Sequence, residues 1–167
     1  AENLENKNSE TWKMLKKSAG ILVPGGFGKR GTEGKILAAK YARENKIPYL
    51  GLCLGMQLMT IEFARHFLKN PQITSEEFDE EGKTNPKNYV IHFLPGQHKD
   101  NEKGGTLRLG KYPCEIEKNT KTYAVYKKSL IEERHRHRYE FNNEYKKELE
   151  KYGMVFSGIN PKQNLVE

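Results

Sequence analysis

Leu50-Gly51-Leu52-Cys53-Leu54-Gly55-Met56-Gln57 decides the fold. The apolar run from Ile47 to Leu52 reads as a buried strand, and it runs straight into Cys53. From about Gly55 to Leu68 the spacing predicts a helix, with Met56, Met59, Ile61, Phe63, Ala64 and Phe67 on a mostly buried face. G-x-C-x-G between a strand and a helix has a mechanical meaning. A sharp strand-to-helix turn strains the backbone at its central residue, and side chains at the flanking positions would clash, so glycines stand there. Such a turn lifts the sulfur to the carboxyl edge of the sheet, where ligands bind in open α/β folds. The helix N-terminus favours the thiolate, and the Leu54 amide points into the same space as a donor to an oxyanion. A buried cysteine at a strand end is the bland alternative. The two glycines at fixed offsets favour the nucleophile.

Working outward, Ala19 to Val23 reads as another buried strand, broken by Pro24-Gly25-Gly26-Phe27-Gly28. That glycine-rich loop exposes backbone N–H groups at the same sheet edge, so it can supply a second oxyanion donor. Gly26 to Gly31 also matches G-x-G-x-x-G, but the next strand ends without the carboxylate a dinucleotide site needs. The phosphate-loop pattern fails too, because Gly34-Lys35 is followed by Ile36. Thr32 to Asn45 is predicted as a helix, with Ile36, Leu37, Ala39, Tyr41 and Ala42 on its apolar side. Residues 1–18 are expected to be a loop or short helix leading into the domain, with Trp12, Met14 and Leu15 offering an apolar side.

On the C-terminal side, Pro71 to Lys87 and Pro95 to Gly105 read as polar loops, and Tyr89 to Leu94 as a strand. Thr106 to Ile116 is strand-like with a turn at Gly110, and Ile131 to Phe141 holds a period-two stretch. In Arg134-His135-Arg136-His137-Arg138 a strand places the three arginines on one face and the two histidines on the other. Asn142 to Tyr152 is predicted helical with Gly153 as its cap, and Met154 to Ile159 with Leu165 to Glu167 as a hairpin. The implied class is α/β, an open, mostly parallel sheet with helices on both faces.

The 167 residues fit one domain with a real core, and 29 Lys and Arg against 22 Asp and Glu give a net charge of +7. The lysines are interspersed with glutamates, which reads as a solvated surface rather than a nucleic-acid interface. No stretch approaches a membrane span, and two cysteines are too few for a disulfide framework, so a cytoplasmic setting is expected. No metal site is expected, since His135 and His137 have no third ligand nearby in the sequence.

The glycine loop and the cysteine turn, with Arg30-Gly31-Thr32-Glu33-Gly34-Lys35, Ser75-Glu76-Glu77-Phe78-Asp79, Gly104-Gly105-Thr106-Leu107-Arg108-Leu109-Gly110 and Glu132 to Glu140, resemble the class I glutamine amidotransferase domain of CTP synthase. The resemblance runs from Ala19 onward, so residues 19–167 are expected to form a partial glutaminase domain. It implies Cys53 as nucleophile of a Cys-His-Glu triad, Gly26 and Leu54 as oxyanion amides, and Phe27, Gln57, Glu77 and Arg138 as the glutamine site. Thr106, Arg108 and Gly110 would belong to a mobile lid coupled to GTP. An α-carboxylate suits a guanidinium fork and an α-ammonium a carboxylate, which agrees with Arg138 and Glu77. The domain itself would need no cofactor. ATP, Mg²⁺ and the effector GTP would serve a synthetase domain of the same polypeptide, and a homo-oligomer, a tetramer in the family, is implied.

The family's base comes from a His-x-Glu pair near the end of the domain, and none of His66, His92, His98, His135 or His137 stands in that context. The first strand-helix unit of the fold has no counterpart either. The sequence is therefore expected to continue past Glu167 in a longer protein. Two alternatives stay open: a class I glutaminase of another biosynthetic enzyme, and a truncated, non-catalytic binding or assembly module.

Overall fold

The computed structural model describes residues 1–94 and 108–167, which divide into two compact units, Ala1–Ile91 and His92–Glu167. In the first unit, helix α1 (Glu10–Lys16) is capped by Ser9, whose hydroxyl accepts from the Trp12 amide. Strand β1 (Ile21–Val23) leads through the glycine loop to helix α2 (Thr32–Asn45). Strand β2 (Tyr49–Gly51) then leads to helix α3 (Leu54–Phe67). β1 and β2 pair in parallel with Leu22 opposite Leu50, the arrangement expected of a strand-helix-strand unit.

The helix limits follow the sequence closely, but the burial does not. Leu22 is 59 % exposed and Leu50 54 %, so one face of this parallel pair is open among the described residues, contrary to the expectation of buried strands. On α3 the fully buried positions are Leu54, Leu58, Ile61 and Ala64, whereas Met56, Met59, Phe63 and Phe67 are only half-buried. Leu4, Trp12 and Ala38 form a second cluster under α1, with the Tyr41 ring edge-on to Trp12. Arg43 of α2 makes a two-toothed pair with Glu62 of α3, at 2.9 and 2.8 Å.

The polar stretch from Pro71 to Lys87 is not all loop. It contains the short strand β3 (Thr74–Ser75), a single turn at Glu76–Phe78 and another at Pro86–Asn88. β3 pairs in parallel with β4 (Tyr89–Phe93), whose Val90 and Ile91 are fully buried. Asp79 organises the intervening loop, accepting from the Tyr89 hydroxyl at 2.5 Å and from the Lys83 and Thr84 amides. The loop expected at Pro95 to Gly105 lies outside the described residues.

The second unit centres on strand β5 (Arg108–Ile116), which continues through Gly110 at φ 116° instead of turning there. A short helix, α4 (Lys121–Tyr126), capped by Thr120, follows, with no apolar period among its residues to announce it. Strand β6 (Leu130–His137) pairs antiparallel with β5, from Arg108 opposite His137 to Glu115 opposite Leu130. β7 (Tyr139–Phe141) follows a one-residue break at Arg138. The predicted helix from Asn142 is a 3₁₀ turn at Asn143–Tyr145 running into α5 (Lys146–Glu150). The expected hairpin reduces to β8 (Gly158–Ile159), which pairs with β5, and one antiparallel bridge between Ile159 and Val166. The architecture is α/β with open sheets, as expected, and among the described residues the pairings are parallel for β1–β2 and β3–β4 and antiparallel for β5–β6 and β5–β8. No helix among the described residues is long and apolar enough to cross a membrane.

Candidate active site

The first unit builds its site by bringing backbones closer than side chains would allow. A Cβ on Gly51 would stand 2.5 Å from the Gly55 carbonyl carbon, and one on Gly55 would stand 2.1 Å from the Val23 oxygen. Both contacts are to main chain, which cannot step aside, so glycine is required at both positions for steric reasons. Between them, Cys53 adopts φ 52°, ψ −109°, outside the regions an L-residue prefers. The Leu52 amide donates to the Val23 oxygen at 2.9 Å, and the Tyr49 hydroxyl donates to the Gly55 oxygen at 3.0 Å, which brace the turn from either side. Burial pushes the Tyr49 phenol up to about 12, so it stays a donor.

Cys53 is exposed at the first turn of α3, and neither it nor the buried Cys114 is in a disulfide. Leu54 is the first helical residue, so its N–H has no acceptor within its own helix. The glycine loop passes directly beside this thiol: a Cβ built on Gly25 would lie 3.4 Å from the Cys53 Cβ and 3.9 Å from its Sγ. One on Gly26 would lie 3.3 Å from the Leu54 side chain. Gly26 and Leu54, the two expected amide donors, therefore come together next to Gly25 and Cys53 within one unit. A thiol at a helix N-terminus beside main-chain N–H groups can attack a carbonyl carbon and hold the oxyanion that forms.

Gln57 follows one turn into α3 and is 5 % exposed. Phe27 projects from the loop with 69 % of its surface exposed. Glu77, 49 residues beyond the loop in sequence, returns to it: its Oε1 accepts from the Gly28 amide at 2.8 Å. Glu77 is in turn held by the Ser75 hydroxyl, which accepts from its N–H at 3.2 Å.

The remaining expected residues lie in the second unit or outside the described residues. Arg138 sits half-buried at the break between β6 and β7, and its carbonyl accepts from the Leu94 amide at 3.0 Å. Thr106 lies outside the described residues. Arg108 opens β5 with its side chain 1 % exposed, donating to Glu140 at 3.2 Å and to both oxygens of Glu167. Burial pulls this guanidinium down, but Glu167 and Glu140 outweigh burial and leave it raised overall. His135 and His137 face this cluster while Arg134 and Arg136 are exposed, as the alternation predicted. His137 Nε2 lies 2.7 Å from Glu140. Burial pushes the His135 imidazole below its usual range, against the opposing pull of Glu167.

Sequence reading missed Tyr49, and it missed Glu140 and Glu167 as partners of Arg108. Tyr49 carried no signal because the hydroxyl reaches back to its own turn only after the helix has docked. Glu140 carried a weak signal, three residues after His137, but the intervening break could not be foreseen.

The glutamine amidotransferase class-I family matches residues 2–167, and the chain belongs to that family. Its relatives are CTP synthases: that of Caldanaerobacter subterraneus subsp. tengcongensis is 55 % identical over 99 % of this chain and 30 % of its own length. That of Geobacillus kaustophilus is 54 % identical over 92 % of this chain and 28 % of its own. The glutaminase domain of the Trypanosoma brucei CTP synthase, solved with bound acivicin, superposes with a TM-score of 0.85 at 37 % identity, covering 99 % of this chain and 62 % of that one. The chain thus spans about a third of the length of the curated relatives it matches.

Proposed function

We propose that the chain is the glutaminase part of a CTP synthase, hydrolysing glutamine through a thioester on Cys53 and passing ammonia to a synthetase domain of the same polypeptide. The observation that carries this is the strained Cys53 turn with the Gly25-Gly26 loop packed beside its sulfur. The thiolate attacks the side-chain amide carbon of glutamine. The oxyanion that forms is held by the Gly26 and Leu54 amides. Collapse expels the nitrogen as ammonia, which takes a proton from a general base-acid pair, and leaves the glutamyl thioester. Water then adds to the thioester carbon, releasing glutamate and restoring the thiol. The base would come from a His-x-Glu pair, as in the family the chain resembles.

Glu77 would receive the α-ammonium of glutamine, Arg138 its α-carboxylate, with Gln57 and Phe27 lining the side chain's path. Thr106, Arg108 and Gly110 would belong to a GTP-coupled lid, with the buried Arg108 holding its strand end to Glu140 and Glu167. In the synthetase domain, ATP and Mg²⁺ would activate the 4-oxygen of UTP for replacement by the ammonia.

Cys53→Ala in the full-length protein tests the reading. Glutamine-dependent CTP formation falls by at least about 10³-fold, while formation from added ammonium salts persists. Retained glutamine-dependent synthesis overturns it. Stimulation of glutamine hydrolysis by GTP, and not by another nucleotide, separates this enzyme from glutaminases that feed other acceptors.

A further inference from the structure

We infer that Glu77 is also a positioning residue for the oxyanion loop, so that recognition of the substrate's α-ammonium and assembly of the oxyanion hole share one carboxylate. The inference rests on the proposed glutaminase reading and deepens it.

Beyond Gly26, the loop from Pro24 to Gly28 has little packing to hold it. Its one large side chain, Phe27, is 69 % exposed, and nothing lies within 4 Å of where a Cβ on Gly28 would stand. Gly28 itself takes φ 76°, a conformation a glycine can leave at little cost. The Gly28 amide donates to Glu77 Oε1 at 2.8 Å, a charge-assisted bond reaching the loop from a distant part of the chain. Two residues upstream stands Gly26, whose N–H is the expected oxyanion donor. Fixing the Gly28 amide limits rotation of the two peptide planes that lead back to it.

The carboxylate rests on a firm base. Its own amide is held by Ser75, which is fully buried and belongs to β3, paired with the buried strand β4. Phe78, the next residue, is 9 % exposed and anchors the turn. A carboxylate has two oxygens and about four acceptor sites, so Oε1 can hold Gly28 while Oε2 receives an ammonium. An ammonium bound there restrains the Glu77 side chain in the rotamer that fastens the loop. Part of the substrate's binding energy is then expressed in the chemical step rather than in affinity alone.

Two substitutions in the full-length protein separate this from simple ammonium binding. Glu77→Gln keeps an oxygen for Gly28 and loses the charge; Glu77→Ala loses both. Glutaramate, glutamine without its α-amino group, is the probe, because it has no ammonium for Glu77 to bind. Glu77→Ala lowers kcat/KM for glutaramate about tenfold, the effect of one hydrogen bond to a charged group, and Glu77→Gln recovers most of that loss. With glutamine both variants are impaired. Hydrogen exchange provides a reading that does not depend on turnover: the Gly28 amide exchanges about tenfold faster in Glu77→Ala than in the wild type, and Glu77→Gln restores protection. Equal glutaramate turnover in all three proteins, or equal Gly28 exchange, overturns the positioning role and leaves the Cys53 mechanism standing. Failure of that mechanism shows instead in the Cys53→Ala measurement.

Discussion

The unit of residues 1–91 and the unit of residues 92–167 are held together by different forces. The first buries Leu54, Leu58, Ile61 and Ala64 of one helix and lets main chains meet at Gly51 and Gly55, with an ion pair, Arg43–Glu62, whose carboxylate is buried and whose guanidinium stays partly open to water. The second rests on an antiparallel ladder whose interior includes Arg108, His135, Glu140 and Glu167 beside Cys114, Ile116, Phe141 and Leu149. Cys53 is exposed yet closely placed, because small residues and backbone contacts place it without covering its sulfur. Where a sheet must be pinned at one end, buried charges do so, but each becomes a liability as soon as its partner is removed.

The largest expected effect breaks the second unit. Arg108→Ala leaves Glu140 and Glu167 buried without their shared guanidinium and costs about 3–5 kcal/mol in urea-unfolding stability. A loss under about 1 kcal/mol shows that water already reaches those carboxylates. The matching change in the first unit is smaller. Arg43 keeps 23 % of its side chain exposed against 1 % for Arg108, so Arg43→Ala costs about 1–2 kcal/mol by the same measurement. Equal losses would erase the distinction drawn between the units.

The smallest effect is a slope. The unfolded His135 imidazole titrates near 6.5, and burial holds the folded one lower, so between the two values the unfolded chain binds more protons. Its contribution is present above the unfolded value and is lost as pH falls through the folded one. Stability should therefore decline below about pH 6.5, with this residue supplying at most about 1.4 kcal/mol per pH unit. His135→Gln flattens that part of the pH–stability curve; an unchanged slope assigns the acid sensitivity to other groups.

Much of the first unit was legible because its signals are local. The α2 limits, Thr32–Asn45, were read from periodicity alone, and the glycines around Cys53 announce the turn because only a side-chain-free residue fits there. The second unit was read less well. Gly110 looked like a turn, yet the ladder to β6 carries the strand through it. β3 has two residues in a polar stretch, too few to show a period, and exists because β4 supplies its hydrogen bonds. Arg108 reads as a surface cation until Glu140 and Glu167, 32 and 59 residues later, arrive beside it.

By itself the sequence determined the cysteine turn, the glycine loop, the two long helices and the resemblance to a glutaminase. These depend on residue size and spacing within some 35 residues, and sterics at that range leaves few alternatives. Only the tertiary structure decided that Glu77 meets Gly28 and that Arg108 is buried against Glu140 and Glu167. Those contacts join residues whose separation in the chain says nothing of their distance, and they form only when packing makes a hydrogen bond to protein stronger than one to water.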